Sequence, residues 1–356
     1  MNQDATPAPT EIIAPAQPSV IRGIFIGKDG LRAGWSLLIF IALFSGIIYG
    51  VNVFAHKVHP ETANAAQTAF EMPVKMAIIG ESFSFLMALL VTWIMSKIER
   101  RPISVYGLDV RRKLPHFFAG LAWGVVCLSL LVVTLWKAGR LVIDGRLLFG
   151  GDILRYGAMW LLAFLFVGLS EEYLMRGYLQ FTLTRGLAGF YRWAFKARLG
   201  MATNSGAFGF WTSALILSIL FGLVHKGNPG ESPIGMLSAG LVAMVLCLSL
   251  WRTGSLWWAV GFHAAWDWAQ SFLYGVADSG MMTQHHLLAT HPVGKPILSG
   301  GATGPEGSIF IVAILAVATL SILMTLSREG QVYRAGGETG NEAQSPQARP
   351  SEAVVG

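Results

Sequence analysis

Glu171, His225, His263 and Asp267 stand inside stretches of sequence otherwise suited to hydrocarbon. An ionisable side chain is costly there and persists mainly where it faces a bundle interior or a wet cavity. Glu172 and Arg176 are four residues apart, so they share a helix face and can neutralise each other. Glu171 is turned about 100° away and has no such partner on its own helix. His263 and Asp267 are again four apart and can project into one space. An unpaired carboxylate, two imidazoles and a second carboxylate make a set suited to taking a proton from water and stabilising developing negative charge. Each residue alone has a plainer reading. Glu172–Arg176 reads as a structural salt bridge, His225 beside Lys226 as an interfacial histidine, and Glu81 as a carboxyl paired with a neighbouring helix or near the outer interface. Their joint occurrence favours chemistry, because independent structural accidents seldom supply a base and two imidazoles together.

The elements that must position these residues follow from composition. Hydrophobic residues are 53% of the 356 and charged residues 13%, against roughly 25% charged in a soluble domain. That little charge cannot cover a globule in water, which excludes a soluble enzyme, a secreted disulfide scaffold and a nucleic-acid reader. Cys127 and Cys247 each sit mid-run in apolar sequence and read as small core residues. Eight apolar stretches approach the ~20 residues needed to cross a ~30 Å hydrocarbon core, near 34–54, 73–96, 117–136, 156–183, 206–225, 233–251, 255–273 and 308–327. The expected fold is therefore all-α, a polytopic membrane bundle of about eight transmembrane helices over residues 31–327. Residues 1–30 and 328–356 are expected to be disordered tails, and the first lacks the basic-then-apolar pattern of a signal peptide.

With the N-terminus inside, 17 of the 26 Lys and Arg residues fall on the cytoplasmic side, eight on the other, and Arg176 within a span. This bias predicts a multi-pass protein of the plasma (inner) membrane with both termini cytoplasmic. Phe190–Lys196 interleaves aromatic and basic side chains and fits either a helix lying at the cytoplasmic interface or a linker with aromatic anchors. Gly120 and Gly124 form a GxxxG in the third stretch, a helix-packing signal. At ~1.5 Å per residue, Glu171 falls about 24 Å from Arg155, towards the cytoplasmic side, and His263 about 12 Å in from Ser255. His225, ending the fifth stretch, is then expected near the opposite face, so convergence requires that stretch to be shifted, tilted or broken.

There is no HExxH, GxSG or GxGD motif. What does occur is EExxxR from Glu171 to Arg176, FxxxH from Phe221 to His225, and HxxxD from His263 to Asp267. In this order on successive apolar helices, they resemble the CAAX prenyl protease type 2 and bacteriocin-processing (Abi, CPBP) family. Arg176-Gly177-Tyr178-Leu179-Gln180, Asn228-Pro229-Gly230 and Arg252-Thr253-Gly254-Ser255-Leu256-Trp257 agree with it, and the resemblance covers roughly 156–280. It implies an eight-helix intramembrane endopeptidase. Glu171 would be the general base, helped by His225, with Glu172 and Arg176 supporting the fourth helix. His263, with the residue four positions on, would stabilise the oxyanion. Asp267 departs from the asparagine common in the family. An ionised aspartate has no N–H to donate, so it must be protonated, orient His263, or ligate a metal.

Family members are often described as metalloproteases, and Glu171, His225, His263 and Asp267 are the candidate ligands should Zn²⁺ be present; a metal-free glutamate mechanism is equally open. The expected activity is hydrolysis of a peptide bond in a membrane-associated or lipidated substrate, near the inner leaflet of a bacterial plasma membrane. The expected partners are the bilayer and that peptide or protein, with no nucleic acid. The alternative is a catalytically silent membrane protein that uses its polar cavity for binding, in bacteriocin immunity or as a scaffold. An ion-coupled transporter is less well served, since no repeat relates two halves of the chain.

Overall fold

A computed structural model describes residues 20–27, 30–58, 71–108, 113–196 and 204–327. Of the expected tails, 1–19, 28–29 and 328–356 lie outside the described residues; Val20–Phe25 forms a short helix and Ile26–Gly27 pairs antiparallel with Gly30–Leu31. The remainder is a helical bundle: α1 Ala33–Val58, α2 Val74–Glu99, α3 Lys113–Lys137, α4 Gly151–Glu172, α5 Gln180–Ala194, α6 Ser205–Val224, α7 Pro233–Thr253, α8 Trp257–Trp268 and α9 Ile311–Thr325. Among the described residues six helices are long and apolar enough to cross a membrane: Ala33–Phe54, Val74–Glu99, Lys113–Lys137, Gly151–Ala194, Ser205–Gly227 and Pro233–Thr253. The seventh and eighth stretches fold as the shorter α8 and α9.

The fourth stretch is longer than expected. It does not end near residue 183 but runs unbroken for 44 residues, Gly151–Ala194, about 66 Å at 1.5 Å per residue. Between α4 and α5, Tyr173–Leu179 is wound as a π-helix, a geometry frequent at functional sites. The aromatic and basic segment Phe190–Lys196 therefore begins as the last turn of α5, with Phe190 and Trp193 exposed, and not as a separate interfacial helix.

Helix ends follow local sequence. Ser232 accepts the N–H of Gly235 at the start of α7, Pro233 occupies its first turn, and Gly254 ends it with φ +67. Helix contacts use missing side chains. A Cβ at Gly120 would strike the carbonyl of Trp258, and one at Gly124 the carbonyl of Phe262, so α3 and α8 meet backbone to backbone. Gly209 brings α6 against Thr184 and Ala188 of α5 in the same way.

Apolar packing forms one core among α3, α7, α8 and α9 and a second among α1, α2, α5, α6 and α7. Cys127 and Cys247 are both buried free thiols, one in each. Arg252 at the end of α7 donates to the Leu326 carbonyl (2.8 Å), fastening α7 to α9. At the opposite end of the bundle, Leu141–Arg146 pairs antiparallel with Leu288–Pro292, and Glu71–Met72 pairs with Met282–Thr283. The connection from 274 to 307 is thereby folded over that end.

Candidate active site

The last turn of α4 carries Glu171 and Glu172, and α8 carries His263 and Asp267 one turn apart. Glu172 is fully buried, and its Oε1 accepts two hydrogen bonds, from Arg176 Nη1 (2.6 Å) and His263 Nδ1 (2.9 Å). A carboxylate already serving a guanidinium has only lone pairs to offer, so His263 carries a hydrogen on Nδ1. Its Nε2 then faces Asp267 Oδ2 at 3.5 Å and Glu171 Oε2 at 3.7 Å. Glu171 is the open carboxylate of the group, its side chain 39% exposed against none for Glu172.

His225 continues from α6 into a single 3₁₀ turn, and its Nδ1 lies 2.7 Å from the Phe221 carbonyl. A carbonyl can only accept, so Nδ1 again bears the hydrogen and the neutral ring presents a bare Nε2. The depth conflict in the sequence is resolved by the long helix. α6 packs alongside α5, and Arg176 lies over the Phe221 ring at 5.2 Å, so the end of α6 is level with the end of α4. Glu171, His225, His263 and Asp267 together line one cavity of about 310 Å³.

That cavity corrects the expected depth. It runs beside Ala239, Val242 and Leu246 of α7 and is roofed by Asn228, Ser279, Met281 and Glu306. These roof residues belong to the connections at the end of the bundle opposite Arg100 and Arg101. The site therefore extends from mid-depth towards that end and does not sit at the basic one.

Nδ1 of His263 is engaged by Glu172, and Asp267 stands on the Nε2 side, so Nε2–H is the ring hydrogen that Asp267 faces. Glu172 does more than support its helix with Arg176, since it also fixes the ring of His263. Among the described residues no three His, Cys, Asp or Glu side chains are grouped so as to hold a metal. As placed, they do not form a Zn²⁺ site, and no step is routed through one.

Glu81, read from the sequence as paired with a neighbouring helix or near the outer interface, lines the cavity, as do Asn228, noted above only as part of a turn, and Asp278 and Glu306, which the sequence did not single out. Asp278 accepts from Ser271 Oγ (3.2 Å), and Glu306 accepts from both the N–H (2.5 Å) and Oγ (2.9 Å) of Ser279. Burial raises the pKa of the Asp278 carboxyl well above its ordinary value, and the nearby Asp267 adds to this. Burial raises that of Glu306 as well, against the two hydrogen bonds from Ser279, which favour its charged form. Acidic residues in connections are commonplace, so no pattern in the sequence marked these two.

Comparison with known proteins gives one family match. Residues 154–269 match the Rce1-like family, described as type II CAAX prenyl endopeptidase. No curated protein and no solved structure matches the chain. The matched interval contains Glu171, Glu172, Arg176, His225, His263 and Asp267 and excludes α1 to α3, Asp278 and Glu306.

Proposed function

Because residues 154–269 belong to the type II CAAX prenyl endopeptidase family, we propose that the protein is an intramembrane endopeptidase that hydrolyses a peptide bond in a membrane-associated or lipidated substrate. Water bound between Glu171 and Nε2 of His225 gives a proton to the Glu171 carboxylate as its oxygen adds to the scissile carbonyl carbon. The oxyanion so formed accepts the Nε2–H of protonated His263, whose ring is held by Glu172 and Arg176. Collapse of this intermediate breaks the C–N bond, and Glu171 returns its proton to the leaving nitrogen. One molecule of water is consumed, an acid and an amine are released, and Glu171 ends as it began.

The observation that carries this reading is the division of labour between adjacent glutamates. Glu172 is locked between Arg176 and His263, while Glu171, one residue earlier, is left open to the same cavity. The setting is a plasma membrane with both termini cytoplasmic, supported by the distribution of Lys and Arg. The test is peptide cleavage by the full chain reconstituted in lipid vesicles, read by mass spectrometry of the products. Cleavage by the wild type that disappears in Glu171→Gln is the expected result. Equal cleavage by both would remove Glu171 from the mechanism, and a folded wild type that cleaves nothing would favour the silent, binding role.

A further inference from the structure

The basic end of the bundle holds a second cavity, of about 650 Å³, between the start of α1 and the outer face of α5. It is distant from the active site: Arg185, on its wall, lies 13 residues beyond Glu172 along the same helix, about 20 Å. Three arginines line it, Arg32 from the approach to α1 and Arg185 and Arg192 from α5, and so do the glycines Gly30, Gly186 and Gly189.

Among the described residues the charges do not cancel, and Glu99 at the end of α2 is the carboxylate that meets them. Its Oε2 lies 3.6 Å from Arg185 and 3.7 Å from Arg101, and its Oε1 accepts from the Tyr178 hydroxyl at 2.7 Å. Two guanidiniums already face that one negative charge. Arg32 donates through Nε to the Gly23 carbonyl (2.9 Å), a neutral acceptor. Among the described residues no carboxylate is paired with Arg32 or Arg192. Arg185 also donates to Ser36 Oγ (3.3 Å) and is 8% exposed, so one cation of the three is fixed in place and forms part of a rigid wall.

Shape and depth identify the occupant. Gly189 leaves part of the floor open, since a Cβ there would meet nothing within 4 Å, while Gly186 lets Ala33 of α1 approach closely. The apolar span of α1 begins at Ala33, directly after Arg32, so the cavity opens at the boundary between hydrocarbon and water. Trp193 and Phe190 stand exposed beside it, 66% and 54%, in the position that interfacial aromatic rings occupy in membranes. A phosphate at this depth belongs to a lipid, and the excess positive charge selects a headgroup with net negative charge over a zwitterion. Guanidinium forks match phosphate oxygens in pairs.

We propose that this cavity is a binding site for the phosphate of an anionic phospholipid, with Arg32 and Arg192 as its ligands and Arg185 as its fixed wall. The experiment is native mass spectrometry of the full chain released from nanodiscs, titrated with phosphatidylglycerol, phosphatidylcholine or inorganic phosphate. The wild type is expected to retain phosphatidylglycerol in preference to phosphatidylcholine. Arg32→Gln with Arg192→Gln should reduce that preference by about thirtyfold, from the ~1 kcal/mol that each basic residue contributes near an anionic surface. Arg185 is left intact because its loss would unbalance buried Glu99. If the double variant does not purify folded, each single variant should lose about fivefold on the same basis. Equal retention of the two lipids by the wild type, or an unchanged preference in folded variants, overturns the proposal. Displacement of phosphatidylglycerol by millimolar inorganic phosphate would instead make free phosphate the ligand and refute the lipid assignment.

Discussion

Glu172 and His263 are 91 residues apart in sequence and joined by a 2.9 Å hydrogen bond between Oε1 and Nδ1. The oxygen that holds the ring is also the one that takes Arg176 at 2.6 Å. One buried atom thus fixes the end of α4, the π-helical turn after it and the imidazole of α8. Its neighbour, Glu171, is released from any structural duty.

This separates the two glutamates experimentally. Glu171→Gln is expected to lower cleavage by about a thousandfold, within the range for loss of a general base, while the melting temperature in detergent stays at the wild-type value. Glu172→Gln leaves a buried guanidinium without its charge partner and should cost about 3 kcal/mol of stability along with activity. Thermal unfolding of the two variants side by side decides it. A destabilised Glu171→Gln with a stable Glu172→Gln would reverse the assignment.

Asp267 sits on the far side of His263 from Glu172, so its charge is not what orients the ring. Asp267→Asn keeps an acceptor 3.5 Å from Nε2 and adds a donor for the oxyanion. Activity within about tenfold of wild type is expected, since neither the base nor the ring anchor is touched. Exhaustive treatment with a chelator should leave both forms active. Inactivation by the chelator and recovery with Zn²⁺ would show that a metal had been wrongly set aside.

The roof of the cavity makes stability depend on pH. Asp278 and Glu306 have raised values in the folded protein, so the folded state binds more protons than the unfolded one above the ordinary carboxylate range near pH 4. Stability must then fall as pH rises from that range through the raised values. Melting temperature should drop as pH rises above the ordinary carboxylate range, and the drop should be smaller in Asp278→Asn and Glu306→Gln. Variants whose melting temperature falls as steeply as the wild type's would show that these carboxyls are not the source.

Orientation is tested by labelling. A membrane-impermeant thiol reagent applied to intact cells is expected to miss Arg100→Cys and to modify Arg146→Cys, both positions being exposed. The opposite pattern would invert the topology and turn the roofed end of the cavity towards the cytoplasm.

The helical bundle was legible because length and apolarity alone identify a span, and the stretches near 34–54, 73–96 and 117–136 fall within α1 to α3. The contact of α3 with α8 was legible only as a motif, since Gly120 and Gly124 do not say which backbone they approach. What could not be read was depth. Counting residues from Arg155 placed Glu171 far from His225, because nothing in the apolar run signals that the helix continues to Ala194 and carries α6 beside it. Glu172 misled for a different reason. Arg176 satisfies it locally, and a carboxylate that is satisfied locally gives no hint of a second partner on a distant helix. Asp278 and Glu306 were hidden by their setting, as charge in a connection looks like charge in water until the connection folds inward.

The π-helical turn Tyr173–Leu179 has a consequence for how this chain tolerates insertion and deletion. A π turn takes up one residue more than an α turn, so it acts as a phase shifter in a 44-residue rod. Removing a single residue there would restore ordinary winding and leave the backbone fully hydrogen-bonded. Because the wide turn already absorbs that residue, Gln180–Ala194 would keep its face towards α6 and Arg185 would stay beside Glu99, whereas a residue removed from the regular turns of α4 or α5 would rotate everything beyond it by about 100°. The catalytic end and the basic end of the rod are thus keyed to each other by angle, and the π turn is the one place along it where a residue can be lost without mistiming the two.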